Sequence, residues 1–398
     1  MAKSLGSSAP HASKVSPQWT AKTRSQILCG LGGLRNNLTS RSLAMLWRLP
    51  ASVRSFLDPG SRTYSSTVTA TIPPLRILFC GSDDFSIPSL HALSRAQREV
   101  PELIESIDVV HRPAKRTGRG LKTLREVPIS RAASQEHCAS HVIDTFTGWT
   151  PPSRVDLIIA VSFGLFVPPR ILNLAKYGGL NVHPSLLPDL RGPAPIQHAL
   201  LKSREFTGIS IQTLHPSEFD RGIILAQTPS PGIRIPSWAS FEDLNTLLAD
   251  EGADMLVNVL KSRAFVPPLK DVGWYKDSGG PVDHAEKILK GHRQVDFLTA
   301  TMQEILAIKL ACGDPWYQLP NGDRVILNEM SESNTVSEES RKGLWVPEGS
   351  DIPLARTACG RVLKIEKSTY EGGKIRGGNS RLIRVLKQVQ ARPSTIPI

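Results

Sequence analysis

Long apolar segments and paired cysteines are scarce in this sequence of 398 residues. No apolar stretch approaches the roughly 20 residues that a transmembrane helix needs, and the longest, from Leu157 to Val167, suits a buried strand. The five cysteines form no Cys-x-x-Cys pair, which argues against a structural zinc site and against a disulfide framework. These absences predict a soluble protein with no membrane span and no metal. At about 100–200 residues per domain, the length allows two domains.

Acidic residues are almost missing from the N-terminal segment. Residues 1–70 contain nine Lys or Arg and one acid, Asp58, so they carry +8 of the net charge of +12. A basic, serine-rich composition of this kind is typical of organelle transit peptides. The sequence after Arg62 resembles mitochondrial cleavage sites. We therefore expect a mitochondrial transit peptide over residues 1–64 and a mature protein in the mitochondrial matrix; a basic tail that contacts nucleic acid is the alternative.

The remaining sequence alternates short apolar runs with helical segments, which predicts an α/β fold with a mostly parallel sheet. A segment rich in proline and glycine then predicts a linker, and several short β-like pieces beyond it predict a small open barrel. The predicted helices include residues 170–176, 195–202 and a longer stretch near 283–312. The expected divisions are a catalytic domain at 75–266, a linker at 267–282 and a C-terminal domain at 283–392.

A polar pair at the end of one predicted strand is a candidate for catalysis. Asn181 and His183 are two residues apart, so their side chains lie on the same side of the sheet. An amide can donate hydrogen bonds to a developing oxyanion, and an imidazole can exchange protons near neutral pH. Asp220 follows the next strand and is a candidate partner for the imidazole. Taken alone, such a pair is more often an ordinary polar feature of a strand end.

The segment from Asn181 to Ile196 resembles the Asn-x-His-x-Ser-Leu-Leu-Pro-x-x-Arg-Gly-x-x-Pro-Ile motif of the folate-dependent formyltransferases. Further stretches are similar to that family in the same order: 79–85, 112–120, 160–168, 220–225 and 369–374. The resemblance implies a Rossmann-like formyltransferase domain followed by a small, OB-like β-barrel that helps to hold tRNA. It also implies an enzyme that transfers the formyl group of 10-formyltetrahydrofolate to the α-amine of methionyl-initiator tRNA.

The resemblance assigns three groups of residues. Asn181, His183 and Asp220 would be catalytic. The folate cosubstrate would lie along two turns, which comprise Ser162, Phe163, Gly164, Leu165, Val167, Pro168, Ser185, Leu186, Leu187 and Pro188. The tRNA would contact the basic residues Arg112, Lys115, Arg116, Arg119, Lys122 and Lys374. We expect a monomer without a metal cofactor.

Two departures from the family pattern concern these groups. The residues after Asp220 are Arg221, Gly222 and Ile223, where relatives commonly have Thr-Gly-Asp, and the basic segment carries extra residues at 115–117. Two other functions remain open. One is a formyltransferase that acts on the amine of a small nucleotide, and the other is a non-catalytic RNA-binding protein with the same fold.

Overall fold

The structure is a computed structural model that describes residues 72–333 and 343–391. The transit peptide expected over residues 1–64 lies outside the described residues. Within those two ranges, no helix is long and apolar enough to cross a membrane.

The N-terminal half is built around a twisted, seven-stranded sheet. Its strands and the short ones beside it are β1 (Leu75–Gly81), β2 (Ile104–His111), β3 (Lys115–Thr117), β4 (Thr123–Arg125), β5 (Ala139–Val142), β6 (Leu157–Val161), β7 (Gly179–His183), β8 (Phe206–Thr207), β9 (Ser210–Thr213), β10 (Ile224–Gln227) and β11 (Ile233–Arg234). The sheet order is β10-β9-β7-β6-β1-β2-β5. The five strands from β7 to β5 are parallel, whereas β9 is antiparallel to both of its neighbours. This confirms the predicted mostly parallel, Rossmann-like sheet.

Helices cover this sheet. They are α1 (Ile87–Glu99), α2 (Pro128–Gln135), α3 (Pro169–Leu172), α4 (Pro195–Leu201) and α5 (Phe241–Lys261). The first four carry proline in the first turn, where its missing N–H costs nothing. The prediction of a helix over 170–176 was too long. After Leu172 the backbone forms tight turns, such as the hydrogen bond from Leu174 N to Ile171 O (3.1 Å), which do not continue an α-helix.

The C-terminal half contains a five-stranded antiparallel sheet with two helices. Its elements are α6 (Met302–Cys312), β12 (Trp316–Gln318), β13 (Arg324–Ser333), β14 (Gly343–Trp345), β15 (Leu354–Arg356), β16 (Val362–Tyr370) and α7 (Ser380–Gln390). The strand order is β12-β13-β16-β15-β14, and every neighbouring pair is antiparallel. This half-barrel sheet confirms the expected class of C-terminal domain.

The long helix predicted near 283–312 is wrong over most of its length. Only Met302–Cys312 is α-helical, because Thr301 and Glu304 form a capping box that starts the helix there. The residues before it include a short 3-10 turn at Lys290–Arg293. Beyond the sheet, α7 was not predicted, although Leu382 and Leu386 are buried at helical spacing.

The predicted linker, residues 267–282, lies against the catalytic domain. Trp274 Nε1 donates to Thr228 O (2.7 Å), and Tyr275 N donates to the side-chain oxygen of Gln227 (3.1 Å). These bonds hold the linker beside the end of β10, so the chain that leaves it passes close to the turn after β7. The exact domain boundaries stay a prediction.

Candidate active site

The polar pair predicted from the sequence lies at the carboxyl end of β7, the edge at which parallel α/β sheets bind ligands. The pleat places Asn181 and His183 on the same face. Asn181 is half-buried and His183 is buried. On the antiparallel neighbour β9, Gln212 stands opposite Asn181, and Ser210 stands opposite His183. Two strands therefore supply a cluster of polar side chains at one point of the sheet edge.

The carboxylate of Asp220 joins this cluster and accepts several hydrogen bonds. Its Oδ1 accepts from Asn181 Nδ2 (3.2 Å) and Gln212 Nε2 (3.0 Å), and its Oδ2 accepts from the backbone N–H of Gly192 (3.0 Å). His183 Nδ1 lies 3.4 Å from Oδ1, and the side chains of this ion pair are only 6% and 9% exposed. A charge buried to this extent requires such partners. The structure thus brings together all three residues expected to be catalytic.

Both ring nitrogens of His183 face acceptors. Nε2 lies 3.0 Å from the backbone oxygen of Leu190, and Nδ1 faces the carboxylate of Asp220. A doubly protonated ring can donate in both directions, whereas either neutral tautomer can donate in only one. The ring of His183 is thus placed between a backbone carbonyl and a carboxylate.

The loop that carries Asp220 is held close to β9. Its Gly222 N–H donates to the side-chain oxygen of Gln212 (3.1 Å), and Arg191 Nε donates to the backbone oxygen of Asp220 (2.8 Å). Arg221, one of the residues that departs from the family pattern, forms an ion pair with Glu218 (2.5 Å). These departures therefore leave the Asp220 carboxylate directed at the polar pair.

Gln212, which contacts Asp220 directly, was not predicted, and neither was Ser210 on the same strand. Gln212 bonds both the carboxylate of Asp220 and the backbone of Gly222. The alternation of polar Ser210 and Gln212 with buried Ile209 and Ile211 is a sequence signal that one face of β9 is polar. That signal indicates the face but not the partner.

The first predicted folate segment follows β6. Phe163 and Val167 are buried in an apolar cluster, so their side chains anchor the turn in the protein interior. Ser162 Oγ donates to the carboxylate of Asp83 (2.6 Å), which ties the turn to the end of β1. Leu165 and Pro168 are half-buried, and Gly164 has a φ of +72°, which suits glycine. Folate binding by this segment stays a prediction.

The second predicted folate segment follows β7. Ser185, Leu186 and Leu187 are buried, and Pro188 is half-buried. The hydroxyl of Ser185 donates to the backbone oxygen of Asp189 (2.6 Å), and the N–H of Leu187 donates to the hydroxyl of Ser210 (3.0 Å). The buried side chains therefore shape this turn, and contacts with a folate would come mainly from its backbone.

Most of the predicted tRNA-binding residues lie on one hairpin. β3 and β4 pair so that Lys115 stands opposite Arg125, and we call residues 115–125 the basic hairpin. Lys115, Arg116 and Lys122 are exposed, and Arg119 begins the 3-10 turn between the strands. Arg112 precedes the hairpin and pairs with Asp144 (2.9 Å).

Lys374, the remaining residue of this group, lies outside the basic hairpin in the sequence. It is exposed in the turn after β16, in the C-terminal half of the chain. Over the described ranges, no three His, Cys, Asp or Glu side chains form a group that could hold a metal ion.

Comparisons with known proteins identify the family of this chain. The family described as formyl transferase matches residues 75–260. The mitochondrial methionyl-tRNA formyltransferase of Bos taurus is 32% identical over 329 residues, which are 81% of this chain and 77% of that protein. The mouse (Mus musculus) protein of that name is 34% identical over 61% of this chain and 58% of its own length. The methionyl-tRNA formyltransferase of Ehrlichia canis is 30% identical over 70% of this chain and 88% of that protein.

Among solved structures, an N-formyltransferase from Helicobacter canadensis in complex with folinic acid and dTDP-3-aminofucose has a TM-score of 0.48 at 13% identity. It covers 73% of this chain and 98% of that one. The sequence similarity to the bovine and Ehrlichia proteins extends over more than two thirds of each. The chain therefore belongs to the methionyl-tRNA formyltransferase family and is an enzyme that transfers a formyl group.

Proposed function

We propose that the protein transfers the formyl group of 10-formyltetrahydrofolate to the α-amine of methionyl-initiator tRNA in the mitochondrial matrix. The observation that carries this proposal is the cluster of Asn181, His183 and Asp220 at the carboxyl end of β7. Formyl transferases of this family use folate-derived donors, and the bovine and mouse relatives are named mitochondrial. The basic composition of residues 1–64 supports import.

Asn181 is placed to stabilise the tetrahedral intermediate. Attack of the α-amine on the formyl carbon turns the carbonyl oxygen into an oxyanion. Nδ2 of Asn181 carries two hydrogens, and the bond to Asp220 (3.2 Å) uses one of them. The other can be donated to the oxyanion. One such donor is typically worth about 3–4 kcal/mol of transition-state stabilisation.

His183 and Asp220 complete the proton balance. The imidazolium of His183 adds positive charge close to the oxyanion, and its burial reduces screening by water. Asp220 holds this charge in place and accepts the proton that the amine loses, directly or through a water molecule. Collapse of the intermediate breaks the bond between the formyl carbon and N10 of the folate, and N10 takes up the proton that Asp220 accepted from the amine. One C–N bond forms, one breaks, and the protons balance.

The charge distribution favours an RNA substrate over a small nucleotide. The basic hairpin contains five basic residues and no acid, and its lysine and arginine side chains at 115, 116 and 122 are exposed. Helix α7 adds the exposed Arg381, Arg384 and Lys387. Such surfaces bind phosphates through counterion release, so the affinity for tRNA should fall steeply with salt.

A transfer assay tests the proposal directly. The chain without residues 1–64 is incubated with 10-formyltetrahydrofolate and with methionine-charged initiator tRNA, uncharged tRNA or glycinamide ribonucleotide. We expect transfer only to the charged tRNA. Transfer confined to the small nucleotide would keep the catalytic cluster and overturn the tRNA assignment. A folded protein that binds folate and transfers to neither acceptor would contradict the proposed function.

The basic hairpin should contribute to tRNA binding and not to folate binding. Replacing both Arg116 and Arg119 by glutamine removes two charges, so we expect the KM for charged tRNA to rise about tenfold. The slope of log KM against log salt should become shallower by about two. The dissociation constant of the folate should stay unchanged.

The matched control for the hairpin variant replaces the exposed residues Arg95 and Lys261, on α1 and α5, by glutamine. This variant has the same net charge and should keep the wild-type KM for tRNA. An equal loss in both double variants would show that total charge, and not the basic hairpin, determines the affinity.

A further inference from the structure

The first residues after the linker run alongside the loop that follows the catalytic strand. We call residues 283–286 the bracing segment. Leu190 N donates to Asp283 O (2.8 Å), and Ala285 N donates to Arg191 O (2.7 Å). Arg191 and His284 form a parallel β-bridge. The bracing segment therefore pairs with the loop as a short additional strand, and it belongs to the part of the chain expected to form the C-terminal domain.

A cluster of three charged side chains, two of them largely buried, joins the same two pieces of chain. The carboxylate of Asp189 accepts from Arg204 Nε (3.0 Å) and Nη2 (3.2 Å), and also from the backbone N–H of Asp283 (2.8 Å). Arg204 Nη2 donates in turn to the carboxylate of Asp283 (2.5 Å). The side chains of Asp189 and Arg204 are only 6% and 16% exposed. We call these three residues the Asp189–Arg204–Asp283 cluster.

The charges of this cluster fit one another. Burial alone would lower the pKa of Arg204, but its hydrogen bonds to Asp189 and Asp283 raise that pKa above the ordinary value. The hydrogen bond from Arg204 likewise holds the pKa of Asp283 below its ordinary range. Arg204 is therefore a permanent cation that links the loop to the bracing segment.

The loop held in this way contacts two catalytic side chains. Leu190 binds the bracing segment through its N–H and faces His183 Nε2 through its carbonyl oxygen (3.0 Å). Two residues further on, the N–H of Gly192 donates to the carboxylate of Asp220 (3.0 Å). Leu190 has a φ of +58°, a left-handed conformation that a non-glycine residue keeps only where its surroundings hold it.

We infer that Asp189, Arg204 and Asp283 are positioning residues for formyl transfer. They fix the loop so that the Leu190 carbonyl holds the ring of His183 and the Gly192 amide holds Asp220. Catalysis thereby depends on the bracing segment, which leads from the linker into the C-terminal half. This inference rests on the proposed function, because it assigns the cluster to the same reaction.

The first test separates turnover from binding. Asp189→Asn removes the charge that anchors Arg204, and Asp283→Asn removes a partly exposed charge while keeping the backbone bonds of the bracing segment. Each variant should lower kcat about tenfold, because a small displacement of catalytic groups is costly. The KM values for folate and charged tRNA should stay within about twofold of wild type. Asp283, which is 39% exposed, gives a variant expected to fold even if Asp189→Asn does not.

The double variant tests whether Asp189 and Asp283 act together through their shared partner Arg204. Both bind Arg204, so Asp189→Asn with Asp283→Asn should lower kcat little more than Asp189→Asn alone. Independent effects would multiply to a loss of about 100-fold and would contradict a shared positioning role.

The chain offers a matched control for loss of a buried ion pair. The side chain of Asp156 is 5% exposed, close to the 6% of Asp189, and it accepts from Arg76 Nε (2.8 Å) and Nη2 (3.2 Å). It precedes β6, at the opposite end of the strand from the predicted folate turn. Asp156→Asn should lower the melting temperature as Asp189→Asn does, yet leave kcat unchanged.

The outcomes distinguish this inference from the proposed function. If wild-type protein transfers formyl groups to charged tRNA and the Asp189 and Asp283 variants keep its kcat, the positioning role is overturned and the function stands. If Asp156→Asn lowers kcat as much as Asp189→Asn does, the cluster contributes only to the general stability of the protein. That result would also overturn the positioning role. If wild-type protein does not use charged tRNA, both the function and the inference fail.

Discussion

Replacing His183 by alanine should lower kcat for formyl transfer about 10³-fold, within the range found for loss of a group that acts in proton transfer and charge stabilisation. The ring lies between the Leu190 carbonyl and the Asp220 carboxylate, so its removal takes away the group proposed to stabilise the oxyanion by its charge. Folate affinity, measured by equilibrium titration, should change little because the predicted folate turns lie outside this contact.

His183→Gln distinguishes charge from hydrogen bonding. Glutamine is neutral, yet its amide can donate to the Leu190 carbonyl as Nε2 of the imidazole does. We expect the loss of kcat to persist in this variant. Recovery of most of the activity with glutamine would show that His183 acts only as a donor that holds the loop, and loss of folate binding in both variants would show it to be structural.

The candidate catalytic cluster could be predicted because its polar pair is encoded locally. Alternation along a strand places Asn181 and His183 on one face, and the strand ends at His183, immediately before Pro184. Asp220 is a candidate partner for the imidazole because it follows the next strand, and the resemblance to the family supports that role. The mostly parallel sheet was also predictable, because buried apolar runs and intervening helices leave a clear pattern in the sequence.

The contacts that hold the cluster in place could not be predicted. Gly192 reaches Asp220 across 28 residues, and the N–H of Asp283 reaches Asp189 across 94. Nothing in the local pattern around Asp283 indicates such a partner, and the helix predicted near 283–312 assigned these residues the wrong conformation. Contacts between residues so far apart in the sequence depend on the path that the linker takes through the folded protein. That path depends in turn on the packing of the linker beside β10.

Replacing Gly222 by alanine should lower kcat about 10²-fold or more. A Cβ at Gly222 would stand 1.7 Å from the backbone oxygen of Thr213, so the two chain segments have to separate. Thr213 is the last residue of β9 and stands opposite Leu180 of β7, so the loop has to move instead. That movement breaks the bond from Gly222 N to Gln212 and draws Asp220 away from His183. Misplacement of a catalytic group by about 1 Å costs a factor of this size.

Gly291→Ala is the matched control, because a Cβ there meets no atom within 4 Å and its backbone does not require glycine. We expect Gly291→Ala to keep the wild-type kcat. Gly222→Ala should keep a nearly unchanged KM for tRNA, because the substitution does not alter the basic hairpin. Near-normal turnover by Gly222→Ala would mean that the Asp220 loop can move away from β9 without lowering kcat. Asp220 could then not be the proton acceptor proposed above. If kcat falls in Gly222→Ala and not in Gly291→Ala, turnover depends on the close approach of this loop to β9. That close approach is how the fold brings an aspartate from one chain segment to the Asn–His pair of another.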